Sequence, residues 1–255
     1  MGTFTPIAAY LVACLGSALG LLSSERARNA ARAPRNWWLT VAAVSIGGLG
    51  IWGMHFTAML GTWMGATVAY DIPITLLSMV VAIVVVGIGL FIVRHANTGE
   101  RDVRLLPLVA GGLVTGLGVA AMHYTGMAGI KIGATITYDT LKVILSIAIA
   151  VVAATAALWA TTSVRGPLAV AGAALVMGLA VTGMHYTGMN AMNIVVDRNS
   201  PVISGNSQEL ITSLIIGGAG VSVLIIFLLA LTTSSDERNE DAELLDRVMR
   251  KTGLQ

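Results

Sequence analysis

The sequence predicts an all-α membrane protein with seven transmembrane helices, arranged as an N-terminal helix followed by three repeated two-helix units. Of its 255 residues, 56% are hydrophobic and only 11% are charged, whereas a soluble globular chain is about 25% charged. Seven long apolar runs are present, and three of them carry the same short motif. These observations favour one membrane domain over two soluble ones.

Each apolar run is long enough to cross a bilayer, which takes roughly 20 apolar residues in a helix. The runs cover about 4–22, 37–60, 72–93, 105–128, 143–163, 168–192 and 210–231. No basic region precedes the first run, so we do not expect it to be a cleaved signal peptide. We therefore expect a seven-helix membrane domain over residues 4–231.

Basic residues predict the orientation of these helices. Eight arginines lie in the loops that follow the first, third and fifth runs, which share one side of the membrane. They are Arg26, Arg28, Arg32, Arg35, Arg94, Arg101, Arg104 and Arg165. The opposite loops hold only Lys131, Lys142 and Arg198. Basic loops remain in the cytoplasm, so we expect the N-terminus outside. The polar tail 232–255 is then cytoplasmic, either as a short helix with Leu244, Leu245 and Val248 as an apolar stripe or as a solvated, partly frayed segment.

A seven-residue motif repeats on the second, fourth and sixth helices. Its copies are Gly53-Met54-His55-Phe56-Thr57-Ala58-Met59, Ala121-Met122-His123-Tyr124-Thr125-Gly126-Met127 and Gly183-Met184-His185-Tyr186-Thr187-Gly188-Met189. Tyr70-Asp71 follows the first histidine at the same distance as Tyr138-Asp139 follows the second. The third copy departs after the motif, because Asp197 comes earlier. The repeating unit is therefore a pair of helices.

The three histidines lie at one depth in the membrane. Each comes 17 or 18 residues after the cytoplasmic start of its helix, which is ~27 Å along the axis of a hydrocarbon core about 30 Å thick. They can converge near the outer face if the three helices are neighbours. Glycines that would permit close approach are Gly47, Gly50, Gly111, Gly116, Gly172 and Gly178.

The residue types of the motif suit a metal ion, copper in particular. One histidine in a membrane helix is usually a packed, hydrogen-bonded residue, but three equivalent ones indicate a shared site. Imidazole and thioether together suit copper, especially Cu(I), whereas zinc more usually takes cysteine or carboxylate partners. Methionine alone is a weak signal, because it also fills gaps in cores.

The predicted metal ligands are the three histidines, completed by methionines. Residues four apart lie about 40° apart around a helix, so the second methionine of each motif shares the histidine face and the first lies to one side. The predicted set is His55, His123, His185, Met54, Met122, Met184, Met59, Met127 and Met189.

Two further pairs of residues have predicted roles beside the ligands. Tyr124 and Tyr186 have a hydroxyl that can orient a histidine or bind a small ligand, which Phe56 lacks. Asp71 and Asp139, with Asp197, lie in the outer loops as solvated acids or helix caps, or they support the histidines from outside the ligand set.

At these residues the chain resembles the MHYT family of bacterial membrane sensor domains. The name is read here as Met122-His123-Tyr124-Thr125 and Met184-His185-Tyr186-Thr187, with Phe56 in the first copy. The resemblance covers about residues 4–231. It implies an inner-membrane sensor that binds copper near the outer face and responds to oxygen, carbon monoxide or nitric oxide. Family members often carry cyclase, phosphodiesterase or kinase domains after the sensor, so a separate signalling partner is one expectation here.

Three function classes remain open from the residues alone. Sensing of a diatomic gas or of redox state at a copper centre is the favoured one. A copper transporter would need further ligands toward the cytoplasm, where Met177 is the main candidate. A haem held by two histidines would leave the methionines unexplained. We expect no enzyme activity and no nucleic-acid partner, because the chain has no nucleophile motif, phosphate loop or nucleotide fingerprint.

Overall fold

The computed structural model describes residues 4–96, 104–196 and 207–252. Within these ranges seven helices are long and apolar enough to cross a membrane, which confirms the predicted fold class. Arg101, Asp197 and Arg198, which entered the sequence analysis, lie outside the described residues.

The helices match the predicted apolar runs, although their first and last residues differ from the predicted bounds. We number them α1 to α7. They are α1 (Phe4–Asn29), α2 (Arg32–Ala43, Val44–Gly53 and Met54–Leu60 in succession), α3 (Ile72–Ala96), α4 (Leu105–Ala128), α5 (Thr140–Ser163), α6 (Pro167–Asn190) and α7 (Ser207–Thr252). The middle segment of α2, Val44–Gly53, is π-helical. Pro167 opens α6 directly after Gly166, whose φ is +81°, as expected for proline in the first turn of a helix.

Six helices, α1 to α6, form a closed ring. Each packs on the next along the chain, and α1 closes the ring between α2 and α6. The repeat would assign this closing position to α7, the second helix of the third unit. Instead α7 packs outside the ring, on α1 and α2. The N-terminal helix therefore substitutes for the second helix of the third repeat.

Glycines permit the close approaches in this ring. A Cβ on Gly16 of α1 would lie 2.3 Å from the backbone nitrogen of Gly50 of α2. Of the glycines singled out from sequence, Gly47, Gly111, Gly116 and Gly178 face a neighbouring helix so closely that a Cβ would lie within 3.0 Å of it. Gly172 has no atom of another element within 4 Å of that position, so it has no packing role there.

Two short two-stranded sheets connect the repeats at the end of the ring that carries the motifs, which we call the motif end. The strands are β1 (Val68–Tyr70), β2 (Ile130–Ile132), β3 (Ala134–Tyr138) and β4 (Met192–Val196). β1 pairs antiparallel with β2, and β3 pairs antiparallel with β4. In each pair, the strand before the second helix of one unit binds the strand after the first helix of the next.

The opposite end, which we call the arginine end, is held by side-chain contacts to carbonyl groups. The Arg28 guanidinium donates to the carbonyl oxygens of Thr161 and, at 2.7 Å, Val164, which ties α1 to the end of α5. Arg26 donates to the carbonyl oxygen of Leu229 on α7 at 3.3 Å. The C-terminal end of α1 thus contributes to closing the ring.

The last helix continues through the predicted start of the tail. α7 is a single helix of 46 residues, ~69 Å long at 1.5 Å per residue, with no break at residue 232. Its apolar part is Ser207–Leu229. The predicted stripe of Leu244, Leu245 and Val248 lies outside the described side chains.

Candidate metal centre

The three motif histidines meet inside the ring at its motif end. His55, His123 and His185 are 1%, 1% and 0% exposed. The Nδ1 atom of His55 lies 3.0 Å from Nδ1 of His185 and 3.1 Å from Nδ1 of His123. One ligand atom from each residue lies within 4.8 Å of the others. Helices α2, α4 and α6 therefore bring together the convergent histidines that the sequence predicts.

The outward nitrogen of each ring faces the protein rather than the centre. All three Nε2 atoms are buried without a hydrogen-bond partner. A Cβ on Gly126 would lie 2.9 Å from Nε2 of His55, and one on Gly188 would lie 2.5 Å from Nε2 of His123. The rings of His55 and His123 thus pack against the glycine of the next motif.

Hydrogen bonds among the three inward nitrogens cannot satisfy all of their close contacts. A neutral imidazole nitrogen carries either a hydrogen or a lone pair. Because that is one hydrogen or one lone pair per nitrogen, Nδ1 of His55 can form one full hydrogen bond, so its close contacts with Nδ1 of His123 and of His185 cannot both be satisfied by hydrogens. A cation at the centre would instead accept the three Nδ1 lone pairs together. An unsatisfied lone pair on a buried Nδ1 atom is costly, so the three Nδ1 atoms fit a metal ion, whereas the Nε2 atoms lie against the protein with or without one.

The motif aromatic residues turn away from this centre. The Tyr124 hydroxyl lies 2.8 Å from Oγ of Ser146 on α5, and its ring lies edge-on to Tyr138. In the first repeat, Phe56 has the same edge-on contact with Tyr70. The rings of His123 and Tyr124 are also in edge contact, at 4.9 Å between centroids. Tyr124 therefore contacts the histidine through its ring, while its hydroxyl binds the neighbouring helix.

Tyr186 of the third motif has the same contact with its histidine. Its ring centroid lies 5.0 Å from that of His185. The side chain is partly exposed and packs beside Met54 and Ala58 of α2. If Tyr186 orients His185, it therefore does so through this contact between the two rings.

Five of the six motif methionines are fully buried. Met54, Met59, Met122, Met127 and Met184 are 1–2% exposed, and Met189 is partly buried. Met184 also lines a cavity in the centre of the ring, below the histidines. The burial of these thioethers suits packing as well as ligation, and their role as ligands remains a prediction.

Asp71 and Asp139 cap helices. The Asp139 carboxylate accepts from the backbone N–H groups of Leu141 and Lys142, and that of Asp71 accepts from Ile74. Asp71 also pairs with Lys131 at 2.9 Å. This hydrogen bond from Lys131, with that from the Ile74 amide, lowers the pKa of Asp71 below its ordinary 3.8. Among the described contacts, neither carboxylate binds an imidazole.

Two residues of the site were not identified from sequence. Gly126 and Gly188 are needed because a side chain there would meet an imidazole ring. Their signal was present in the motif, where both copies with tyrosine place glycine three residues after histidine. The first copy has Ala58 at this position.

Comparisons with known proteins agree with these features. The model of the family described as "MHYT: Bacterial signalling protein N terminal repeat" matches residues 48–105 and 116–174, which contain the first two motifs. The third motif lies beyond the matched segments. No solved structure matches the chain.

The curated relatives are signalling proteins. The bifunctional diguanylate cyclase/cyclic di-GMP phosphodiesterase MucR of Pseudomonas aeruginosa is 44% identical over 60% of this chain and 22% of its own length. The cyclic di-GMP phosphodiesterase NbdA of the same organism is 36% identical over 76% of this chain and 25% of its own length. The signalling protein YkoW of Bacillus subtilis is 30% identical over 79% and 25%. The chain spans about a quarter of these relatives.

Proposed function

The chain belongs to the MHYT family of bacterial signalling proteins, and we propose that its seven helices form a sensor whose input site is the histidine cluster. We propose that this site holds copper and responds to a diatomic gas or to redox state. The observation that carries the proposal is the approach of three buried Nδ1 atoms, one from each repeat.

Within the site, His55, His123 and His185 would be the primary ligands through Nδ1. The buried motif methionines would be additional ligands, and their soft thioether sulfurs favour Cu(I). Copper bound there would supply a one-electron redox couple and a centre with affinity for small diatomic ligands. The rings of His55 and His123 are held against Gly126 and Gly188. The burial of all three histidines keeps bulk water away from them.

The arrangement favours sensing over transport. An ion released inward from the histidines would enter the central cavity, which is lined mainly by Ala, Val, Ile and Leu. Its polar atoms are the hydroxyls of Ser17, Thr115 and Thr161 and the thioethers of Met177 and Met184. Such a lining offers few of the ligands that a conduction path needs.

The arrangement also favours a single ion over haem. The ring centroids of the three histidines lie 4.9–5.3 Å apart, and their Nδ1 atoms face one another directly. A porphyrin between two of these rings would have to separate helices that meet at glycine contacts. An ion requires no such separation.

We propose that the output leaves at the arginine end, in the cytoplasm of a bacterial cell with this chain in its inner membrane. Helix α7 contacts both ends of the ring. The Tyr70 backbone N–H donates to Oγ of Ser207 at 2.9 Å, and Arg26 donates to Leu229. A shift of the histidine-bearing helices would therefore reach α7. The named activities of MucR and NbdA suggest cyclic di-GMP turnover as the process that receives the signal.

Copper analysis of four matched variants tests this function. We expect the purified parent to retain copper, and His55→Ala, His123→Ala and His185→Ala each to lose most of it, because each removes a primary ligand. His95→Ala is the control, since the fourth histidine lies exposed on α3 and stacks on Phe91. Elemental analysis after growth with copper, together with the absorption spectrum, measures the result. Copper retained in all three cluster variants, or a Soret band in the parent, would contradict the proposal.

A further inference from the structure

A central cavity lies inside the ring between the histidine cluster and the arginine end. All six ring helices contribute to its wall, with Ser17 of α1, Ile51 of α2, Leu90 of α3 and Thr115 of α4 among the lining residues. The volume open to the centre of a water-sized sphere is about 50 Å³. This is several times the ~10–15 Å³ that a cavity needs to hold one water molecule. Met184, the neighbour of His185, lines the side nearest the cluster.

The chemistry of the wall suits an apolar occupant better than water. Alanine, valine, leucine and isoleucine supply most of the lining. The Thr161 hydroxyl donates to the carbonyl oxygen of Leu158 at 2.7 Å, and that of Thr115 donates to Val85 at 3.3 Å. The hydrogens of these two hydroxyls are therefore engaged, which leaves Ser17 as the remaining hydroxyl in the lining. A buried water needs two to four polar partners, and apolar cavities without them stay dry and accept molecules such as xenon.

A second hollow, between α5 and α6, shares a wall with this cavity. Residues common to both are Ala153, Ala157, Met177 and Ala180. The hollow is further lined by Ala156, Trp159 and Val176, of which the last two are 50% and 67% exposed. These exposed apolar side chains lie on membrane-spanning helices, so this hollow opens toward lipid. Only three alanines and the flexible methionine separate lipid from the cavity.

We propose that the central cavity binds a small, neutral, apolar molecule dissolved in the bilayer, and that this molecule enters between α5 and α6. Uncharged diatomic molecules belong to this class. Its passage past Met184 would then deliver it to the histidine cluster, and this last step rests on the proposed sensing function. The cavity and its entry do not depend on a metal.

Xenon is the probe for the cavity, because its binding can be observed without copper or signalling. We expect xenon in the central cavity of the purified full chain, seen by crystallography under xenon pressure or by xenon NMR. Ala154→Leu adds three carbon atoms inside the cavity and should abolish this binding. Ala156→Leu is the matched control, because Ala156 lines only the outer hollow, and xenon should remain. Ala154→Val serves as a smaller change if the leucine variant does not fold.

Exchange of xenon tests the entry route. Ala157→Leu narrows the shared wall and should slow exchange between the cavity and the surrounding detergent or lipid, whereas Ala156→Leu should slow it less. No xenon in the parent cavity would overturn the binding site, and unchanged exchange in Ala157→Leu would overturn the route. Loss of copper or of a gas response with xenon still bound would instead contradict the sensing function alone.

Discussion

Each histidine of the cluster has two nitrogens in different surroundings. Nδ1 faces the other two rings, and for His55 and His123 the Nε2 atom lies against a glycine of the next helix. This packing leaves the Nδ1 atoms as the nitrogens that could bind a metal ion at the centre of the cluster. The glycine in the second and third motifs is therefore part of the site, because it sets where the neighbouring ring can lie.

Gly188→Ala and Gly172→Ala compare two glycines of the same helix. At Gly188 the new Cβ would lie 2.5 Å from Nε2 of His123, whereas at Gly172 it would meet nothing within 4 Å. We expect Gly188→Ala to lower copper content and to cost about 1–3 kcal/mol of stability, as overpacking does. Gly172→Ala should be neutral or slightly stabilising. Copper analysis and unfolding in detergent measure both effects, and equal behaviour of the two variants would show that Gly188 does not position the ring.

The loops at the motif end act as connectors between repeats. β1 pairs with β2 and β3 with β4, so α4 and α6 are each linked to the preceding repeat just beyond their motifs. Asp71 and Asp139 cap the helices that follow the loops. Asp71 has an additional cross-strand partner in Lys131, which stabilises the first of the two sheets.

The charge state of Asp71 should follow this ion pair. Because Lys131 lowers its pKa below 3.8, the ionised carboxylate stabilises the folded loop at every pH above that value. The contribution is lost as the pH falls through the lower folded-state pKa. We expect Lys131→Met to raise the titration midpoint of Asp71 toward its ordinary value. A carboxyl carbon NMR titration measures it.

Lys142→Met provides the control for that titration. Lys142 binds the Asn190 carbonyl and side chain instead of Asp71, so its removal should leave the Asp71 midpoint in place. An equal shift in both variants would mean that general charge, rather than the Lys131 contact, lowers the pKa.

The whole molecule is a six-helix ring with a seventh helix outside it. This arrangement places His55, His123 and His185 at one end of a central cavity and most of the basic side chains that the structure describes at the other. α7 carries the signal route proposed here, because it touches the ring at both ends yet lines none of the cavity among its described residues.

Cysteine labelling determines which end faces the cytoplasm. In a Cys14→Ser background, Thr135→Cys lies exposed on β3 at the motif end and Arg165→Cys lies exposed at the arginine end. The excess of basic residues at the latter predicts that it is cytoplasmic. A membrane-impermeant maleimide should therefore label residue 135 in intact cells, and residue 165 only after permeabilisation. The reverse pattern would place the histidine cluster on the cytoplasmic side.

The sequence by itself determined the number of helices, their approximate bounds, the repeat and the equal depth of the histidines. These properties are local, because span length follows from apolar runs and the depth of His55, His123 and His185 follows from counting along each helix. The convergence of the rings was also predictable, since three equivalent polar residues at one membrane depth need shared surroundings.

Only the tertiary structure decided which helix closes the ring and which atoms face the centre. The place of α1 between α2 and α6 depends on contacts such as Gly16 against Gly50, between residues far apart in the chain. The π-helical segment Val44–Gly53 changes the direction of His55 from that of a regular helix of 3.6 residues per turn. The inward position of Nδ1 follows from side-chain packing on neighbouring helices, which helical periodicity does not specify.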